Sequence, residues 1–131
     1  MSRPVPVPTS LSRPFWEAAR RGELMIPRCT TCGTRFFIPE PACPACMAPE
    51  WEYEPSTGHG TVYSVTVVHR APGPGFELPF ALAVIDLDDG GTMLTHVVGI
   101  APDQVSIGLR VQVHFQKYTE EITLPYFIPE D

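Results

Sequence analysis

The stretch LRVQVHFQK (109–117) alternates apolar and polar residues from Leu109 to Gln116. That alternation places Leu109, Val111, Val113 and Phe115 on one face of a strand and Arg110, Gln112, His114 and Gln116 on the other. Upstream, TVYSVTVVHR (61–70) is rich in β-branched and aromatic residues, and PFALAVIDL (79–87) is a near-continuous apolar run that stops at the turn sequence DDGG. TMLTHVVG (92–99) follows that turn, so 80–99 is predicted to form a hairpin, and LPYFIP (124–129) adds a last short strand. Five short strands, two of them led in by glycine (Gly60 and Gly108), suit a small closed barrel, because closure removes exposed sheet edges. An OB-fold is the leading candidate; an SH3-like barrel and a small sandwich share the same periodicity.

The first 60 residues follow a different pattern. MSRPVPVPTS, with prolines at 4, 6 and 8, reads as an extended, polyproline-like arm, mobile or draped on a partner. SRPFWEAARRGEL predicts one amphipathic helix over residues 12–21: Ser12 as N-cap, Pro14 in the first turn, Phe15, Trp16 and Ala19 as the apolar stripe, Gly22 as the stop. A helix of about ten residues is marginal alone, so Phe15 and Trp16 need cover from the chain's own core or from another subunit. WEYEPSTGHG (51–60) reads as a turn-rich bridge into the barrel.

Composition narrows the class. Sixteen prolines and ten glycines in 131 residues favour short strands and turns over long helices, and the length allows one ordinary core or a small domain with a stapled appendage. The formal charge of −6 opposes a phosphate backbone, which counts against nucleic-acid binding. The N-terminus lacks an apolar core of signal-peptide length, and no stretch approaches the roughly 20 apolar residues of a membrane span, so the expectation is a cytoplasmic protein.

All four cysteines lie in CTTCGTRFFIPEPACPAC (29–46), as two C-x-x-C pairs separated by ten residues. Each pair presents two thiolates to one ion from a single tight turn, and two pairs complete a tetrahedron, which predicts a structural zinc held by Cys29, Cys32, Cys43 and Cys46. A rubredoxin-type iron site uses the same four thiolates at the same spacing. A catalytic role for the ion is disfavoured, since four protein thiolates leave no position open to substrate. Gly33 follows the first pair whereas Met47 follows the second, so the second knuckle is expected to be slightly irregular.

The order FWEAARRGEL, RCTTCG, CPAC, GHGTVYSVTVVHRAPGPGF, PFALAVIDLDDGG, IGLRVQVHF, LPYFIP closely resembles the family of zinc-ribbon plus OB-fold proteins long catalogued as a domain of unknown function. The resemblance runs from Ser12 to Pro129. It implies a mainly β chain with an N-terminal arm and helix (1–28), a rubredoxin-like zinc ribbon (29–50) and a five-stranded OB-fold (51–131). Members of that family accompany thiolase-superfamily, lipid-transfer-protein-like enzymes acting on acyl-CoA thioesters, including aldolases of steroid side-chain degradation. The implied role is a non-catalytic accessory subunit of a hetero-oligomer, with lyase or acyltransferase chemistry in the thiolase-fold partner. Hydratase activity is not implied, because the hot-dog domain fused to some relatives has no counterpart here.

Partner or CoA contacts are expected from Phe15, Trp16 and Arg20 on the helix, from Arg35, Phe36 and Phe37 as exposed residues between the knuckles, and from His69, Arg70, Phe76 and Phe80 around the loop APGPGFELP. The plainer alternative for His69 and Arg70 is that of solvated strand-end residues. His59, His96 and His114 are scattered over different elements, and DLDDGG lacks the distal Glu of a calcium loop and reads as a hairpin turn. The rival class is a single-stranded nucleic-acid-binding module, since ribbons and OB-folds both serve that purpose; its requirement is a basic groove, and the clustered Arg13, Arg20, Arg21 and Arg28 all lie outside the barrel segment.

Overall fold

In the computed structural model, which describes residues 4–130, the chain enters its helix through a pair of hydroxyls. Thr9 N–H donates to Ser12 Oγ (2.9 Å) and Ser12 N–H donates to Thr9 Oγ1 (3.1 Å), immediately before α1 (Arg13–Arg20). This reciprocal arrangement resembles a capping box. Ser12 stands at the expected N-cap, but its side chain bonds Thr9 rather than a helical N–H. At the other end Gly22 N–H donates to Ala19 O and Glu23 N–H to Ala18 O, the paired bonds of a Schellman stop. Phe15, Ala18 and Ala19 form the buried stripe. The described part of the arm borders a groove on the chain's own barrel, where Pro4 and Pro6 are lining residues together with Leu94 and Leu124.

Two strands sit outside the barrel. β1 (Met25–Cys29) pairs antiparallel with β2 (Trp51–Pro55), Met25 opposite Pro55 and Cys29 opposite Trp51. The stretch WEYEP is thus a strand rather than part of a turn-rich bridge. Trp51 and Tyr53 fall on one face, their rings 5.1 Å apart edge to face, and the two glutamates take the other. The boundary expected between residues 50 and 51 falls inside this module, because β2 completes the sheet that β1 begins.

Five further strands close into a barrel: β3 (His59–Val68), β4 (Phe80–Leu87), β5 (Thr92–Val97), β6 (Arg110–Lys117) and β7 (Thr123–Pro129). Their spatial order is β3-β4-β5-β7-β6, with β6 returning to β3. All pairings are antiparallel except β5 to β7, which is parallel at Val97 and Phe127. That is the arrangement of an OB-fold rather than of a sandwich. The alternation in β6 is realised as expected: Val111 is fully buried, Leu109, Val113 and Phe115 pack against the core, and Arg110, His114 and Gln116 are exposed.

One core serves all three parts. Val62, Ile85, Val111 and Phe127 from the barrel cluster with Phe15 from α1, Leu24 just before β1 and Ile26 within it. Burying Ile26 completely contributes about 2–3 kcal/mol. At the barrel end, Arg110 grips Asp88 with both terminal nitrogens (2.7 and 2.6 Å) and reaches Glu130 at 3.2 Å, while His59 Nδ1 lies 2.7 Å from Glu130 Oε2. The Arg110 hydrogen bonds hold the Asp88 carboxyl below its ordinary range, and the His59 hydrogen bond, aided by Arg110, does the same for Glu130.

Candidate functional site

Each C-x-x-C pair folds into the same turn. In the first, Gly33 N–H donates to Cys29 O (3.0 Å) and Cys29 N–H to Thr34 O (2.8 Å). In the second, Met47 N–H donates to Cys43 O (2.9 Å) and Cys43 N–H to Ala48 O (2.9 Å). The residue after the second cysteine must be left-handed, and it is: φ is 78° at Gly33 and 68° at Met47. The second knuckle, expected to be irregular for want of glycine, keeps a regular turn and carries its strain at Met47 instead.

The two turns bring all four sulfurs within 4.8 Å of one another. Cys29 Sγ lies 3.6 Å from Cys46 Sγ, and Cys32 Sγ lies 3.7 Å from Cys43 Sγ. Four sulfurs placed about 2.3 Å from a central ion would form a tetrahedron with edges of about 3.8 Å, so the spacing fits a tetrahedral thiolate site. Two amides support the sulfurs, Cys32 N–H toward Cys29 Sγ and Ala45 N–H toward Cys43 Sγ, each at 3.4 Å. The Thr34 hydroxyl, 3.2 Å from Cys32 Sγ, and the Thr34 amide draw the Cys32 thiol down to about 6. Cys46 is drawn down by the Ala48 amide but driven the other way by burial and its three neighbouring thiols, and ends pushed up to about 12. Crowded thiols resist ionising together, and a bound cation removes that conflict. The four cysteines form a site for a structural metal, with every position of the tetrahedron taken by protein.

The residues between the knuckles are less available than expected. Phe36 is buried in a small core with Cys29 and Cys43, its ring 5.7 Å from Trp51. It supports the metal turn and is not an exposed anchor. Arg35 is 17% exposed: Nη2 donates to Glu54 Oε1 at 3.0 Å, Nη1 donates to Pro55 O at 3.2 Å, and Asp89 Oδ2 lies 3.9 Å from Nη1. Asp89, on the turn between β4 and β5, also accepts from Ser56 Oγ (3.0 Å) and Thr57 N–H (2.9 Å). A side chain at neighbouring Gly90 would come within 3.1 Å of Arg35 Cβ. Arg35, Glu54 and Asp89 therefore clamp ribbon to barrel, a role the sequence alone did not signal for Glu54 or Asp89.

The remaining expected contacts divide. Phe15 is buried in the core, where its ring meets Phe37 at 5.0 Å and Trp16 at 5.1 Å. Trp16 and Phe37 are half-buried, and with Phe76 they line a groove of about 610 Å³ between helix, ribbon and the β4-β5-β7 face. Ile38, from the same expected stretch between the knuckles, and Leu94, which sequence reasoning passed over, form exposed parts of its walls. Phe80 instead borders an adjoining cavity of about 470 Å³. Between the two runs a ladder of near-parallel rings, Phe76, Phe80, His96 and Tyr126, at centroid spacings of 5.6, 4.4 and 4.8 Å. Arg20 is exposed on α1, and His69 and Arg70 are exposed beyond β3; none of the three lines either cavity.

This architecture has known counterparts. Residues 16–52 match the model of the ChsH2 rubredoxin-like zinc ribbon domain, and residues 53–116 match that of the ChsH2 C-terminal OB-fold domain. A DUF35 domain-containing scaffold protein of Methanocaldococcus jannaschii is 36% identical over 97 residues, which cover 72% of this chain and 68% of that protein. The chain belongs to the DUF35 family. The solved structure of the Ltp2-ChsH2(DUF35) aldolase contains a chain that superposes on this DUF35 protein with a TM-score of 0.85 at 38% identity, over 95% of this chain and 98% of that one. The probable enoyl-CoA hydratase alpha subunit of Thermomonospora curvata is 41% identical over 116 residues, 88% of this chain but 36% of that protein. The 3-oxo-4,17-pregnadiene-20-carboxyl-CoA hydratase alpha subunit of Mycobacterium tuberculosis is 34% identical over 101 residues, 77% of this chain and 32% of that protein. This DUF35 chain spans about a third of the length of those two relatives. Among its described residues no helix is long and apolar enough to cross a membrane.

Proposed function

We propose that this protein is a non-catalytic, cytoplasmic subunit of an acyl-CoA-processing hetero-oligomer, in which a thiolase-fold enzyme carries the chemistry. Its task is to support assembly of that enzyme and the binding of its CoA thioester, and the steroid side-chain retro-aldolase is the reaction we assign to the complex. The observation that carries this reading is the near end-to-end likeness to a chain of the Ltp2-ChsH2(DUF35) aldolase. The name of the Mycobacterium tuberculosis relative, a pregnadiene-carboxyl-CoA hydratase subunit, supports the steroid thioester. The chain's own chemistry agrees: the four thiols would saturate one ion and leave it no open position for substrate.

The test is reconstitution. The thiolase-fold subunit from the same cell, purified alone, is expected to show little cleavage of a steroid side-chain β-hydroxyacyl-CoA, to gain activity when this chain is added, and to co-elute with it; this chain alone should be inactive. Failure to associate, or recovery of nucleic acid in place of a thiolase-like protein, refutes the reading. We assign the metal as zinc, in keeping with the ribbon it matches. Elemental analysis should find one zinc per chain, lost in Cys43→Ser together with partner binding; full activity of the metal-free complex would overturn the assignment.

A further inference from the structure

The groove against α1 is lined mainly by apolar and aromatic side chains. Among the described residues its lining contains no Asp, Glu, Lys or Arg, in a chain whose formal charge is −6. Its wall residues Leu94 and Ile38 remain 67% and 62% exposed. A small molecule lying in the groove would leave such outward-facing side chains in water, whereas a chain crossing it would cover them.

The charges lie at the rim. Trp16 lines the groove, and Arg13 and Arg20 are its i−3 and i+4 neighbours on α1, adjacent to it on the solvent side. Both are exposed, and neither forms an ion pair among the described residues. Of the described cations only Arg70, on the loop after β3, shares that condition, whereas Arg21, Arg28, Arg35, Arg110 and Lys117 are each paired. Glu17 is exposed on the same helix, i+4 from Arg13 and i−3 from Arg20, with which it borders a separate depression, so two arginines against one glutamate leave this edge a positive excess of one on an otherwise acidic protein. An acidic partner is steered toward that edge and away from the rest of the surface.

We propose that the groove, with its arginine rim, seats a segment of the thiolase-fold subunit carrying bulky apolar side chains flanked by Asp or Glu. The inference rests on the function proposed above and adds the face used and the chemistry of what occupies it. Charge reversal of both arginines (R13E with R20E) is expected to weaken the complex with the purified thiolase-fold subunit about tenfold at low salt and to reverse the salt dependence of its affinity, because salt then screens a repulsion. Leu94→Asp, at a position too exposed to matter for folding, should weaken it roughly a hundredfold. Zinc content and circular dichroism should stay those of the wild type in both variants. A photo-crosslinking p-benzoylphenylalanine at position 94 should capture a partner peptide rich in apolar and acidic residues, and the same group at Tyr63, exposed on β3 outside the groove, should capture none.

If the wild-type chain binds the enzyme while both variants bind as well as it does, or position 94 captures a second copy of this chain, the docking inference falls and the accessory role stands. If the wild type does not bind at all, both fall.

Discussion

Replacing Met47 by glycine should stabilise the protein. A left-handed L-residue costs about 1–2 kcal/mol, and glycine gives back about 0.5–1 kcal/mol through its greater freedom in the unfolded chain, leaving a net gain of about 0.5–1 kcal/mol. Little packing is lost in the exchange, because the Met47 side chain is 74% exposed. For a chain of this length the gain corresponds to a rise in Tm of about 2–4 °C. Thermal and urea unfolding of the zinc-loaded protein, at fixed free zinc, would measure it. Met47→Ala separates the causes: it truncates the side chain but keeps the strain, and should melt close to the wild type. Gly33→Ala is the mirror experiment, placing a Cβ at φ 78° and 3.4 Å from Arg28 Nη2, and should lose about 1 kcal/mol. If Met47→Gly is no more stable than Met47→Ala, the strain argument is wrong.

Two further perturbations probe the frame. Ile26→Ala empties a fully buried site shared by ribbon and barrel and should cost about 2–5 kcal/mol while leaving a single unfolding transition; a ribbon that melts separately would show that the core is not shared. Asp88 and Glu130 have carboxyls held below their ordinary values of 3.8 and 4.5, so the stability they contribute is present above those values and is lost as pH falls through the lowered ones. Arg110→Met should therefore be less stable than the wild type at neutral pH, with the difference closing as pH falls through the lowered values, and a difference that stays the same at acid pH would remove Arg110 as the cause.

Much of this fold is legible from periodicity, and the failures have local physical causes. The five barrel strands follow from β-branched runs and a strict alternation in β6, where sheet pairing and burial point the same way. The strand at Trp51–Pro55 went unrecognised because the proline and glycines downstream dominate the reading, although its W-E-Y-E alternation was the signal. Phe36 looks like an exposed anchor only if the ribbon is imagined as flat; Trp51, fifteen residues on, folds over it and makes a core of the kind small metal modules need. The cysteine tetrahedron was readable from spacing alone, since four thiols at two tight turns have few other ways to pack. The groove was not, because its walls come from the arm, the helix, the ribbon and three barrel strands, and only the folded chain brings them together.

The turn between β4 and β5 has a consequence for how such chains can vary. Hairpin turns ordinarily absorb insertions, yet here Asp88 meets Arg110, Asp89 meets Ser56 and Thr57, and Gly90 lies directly against Arg35. One residue added at this tip would unseat the barrel end and the ribbon together. Length polymorphism should instead collect in the proline- and glycine-rich loop from Ala71 to Pro79, making that loop the place to graft an epitope or a fluorophore without disturbing the metal module.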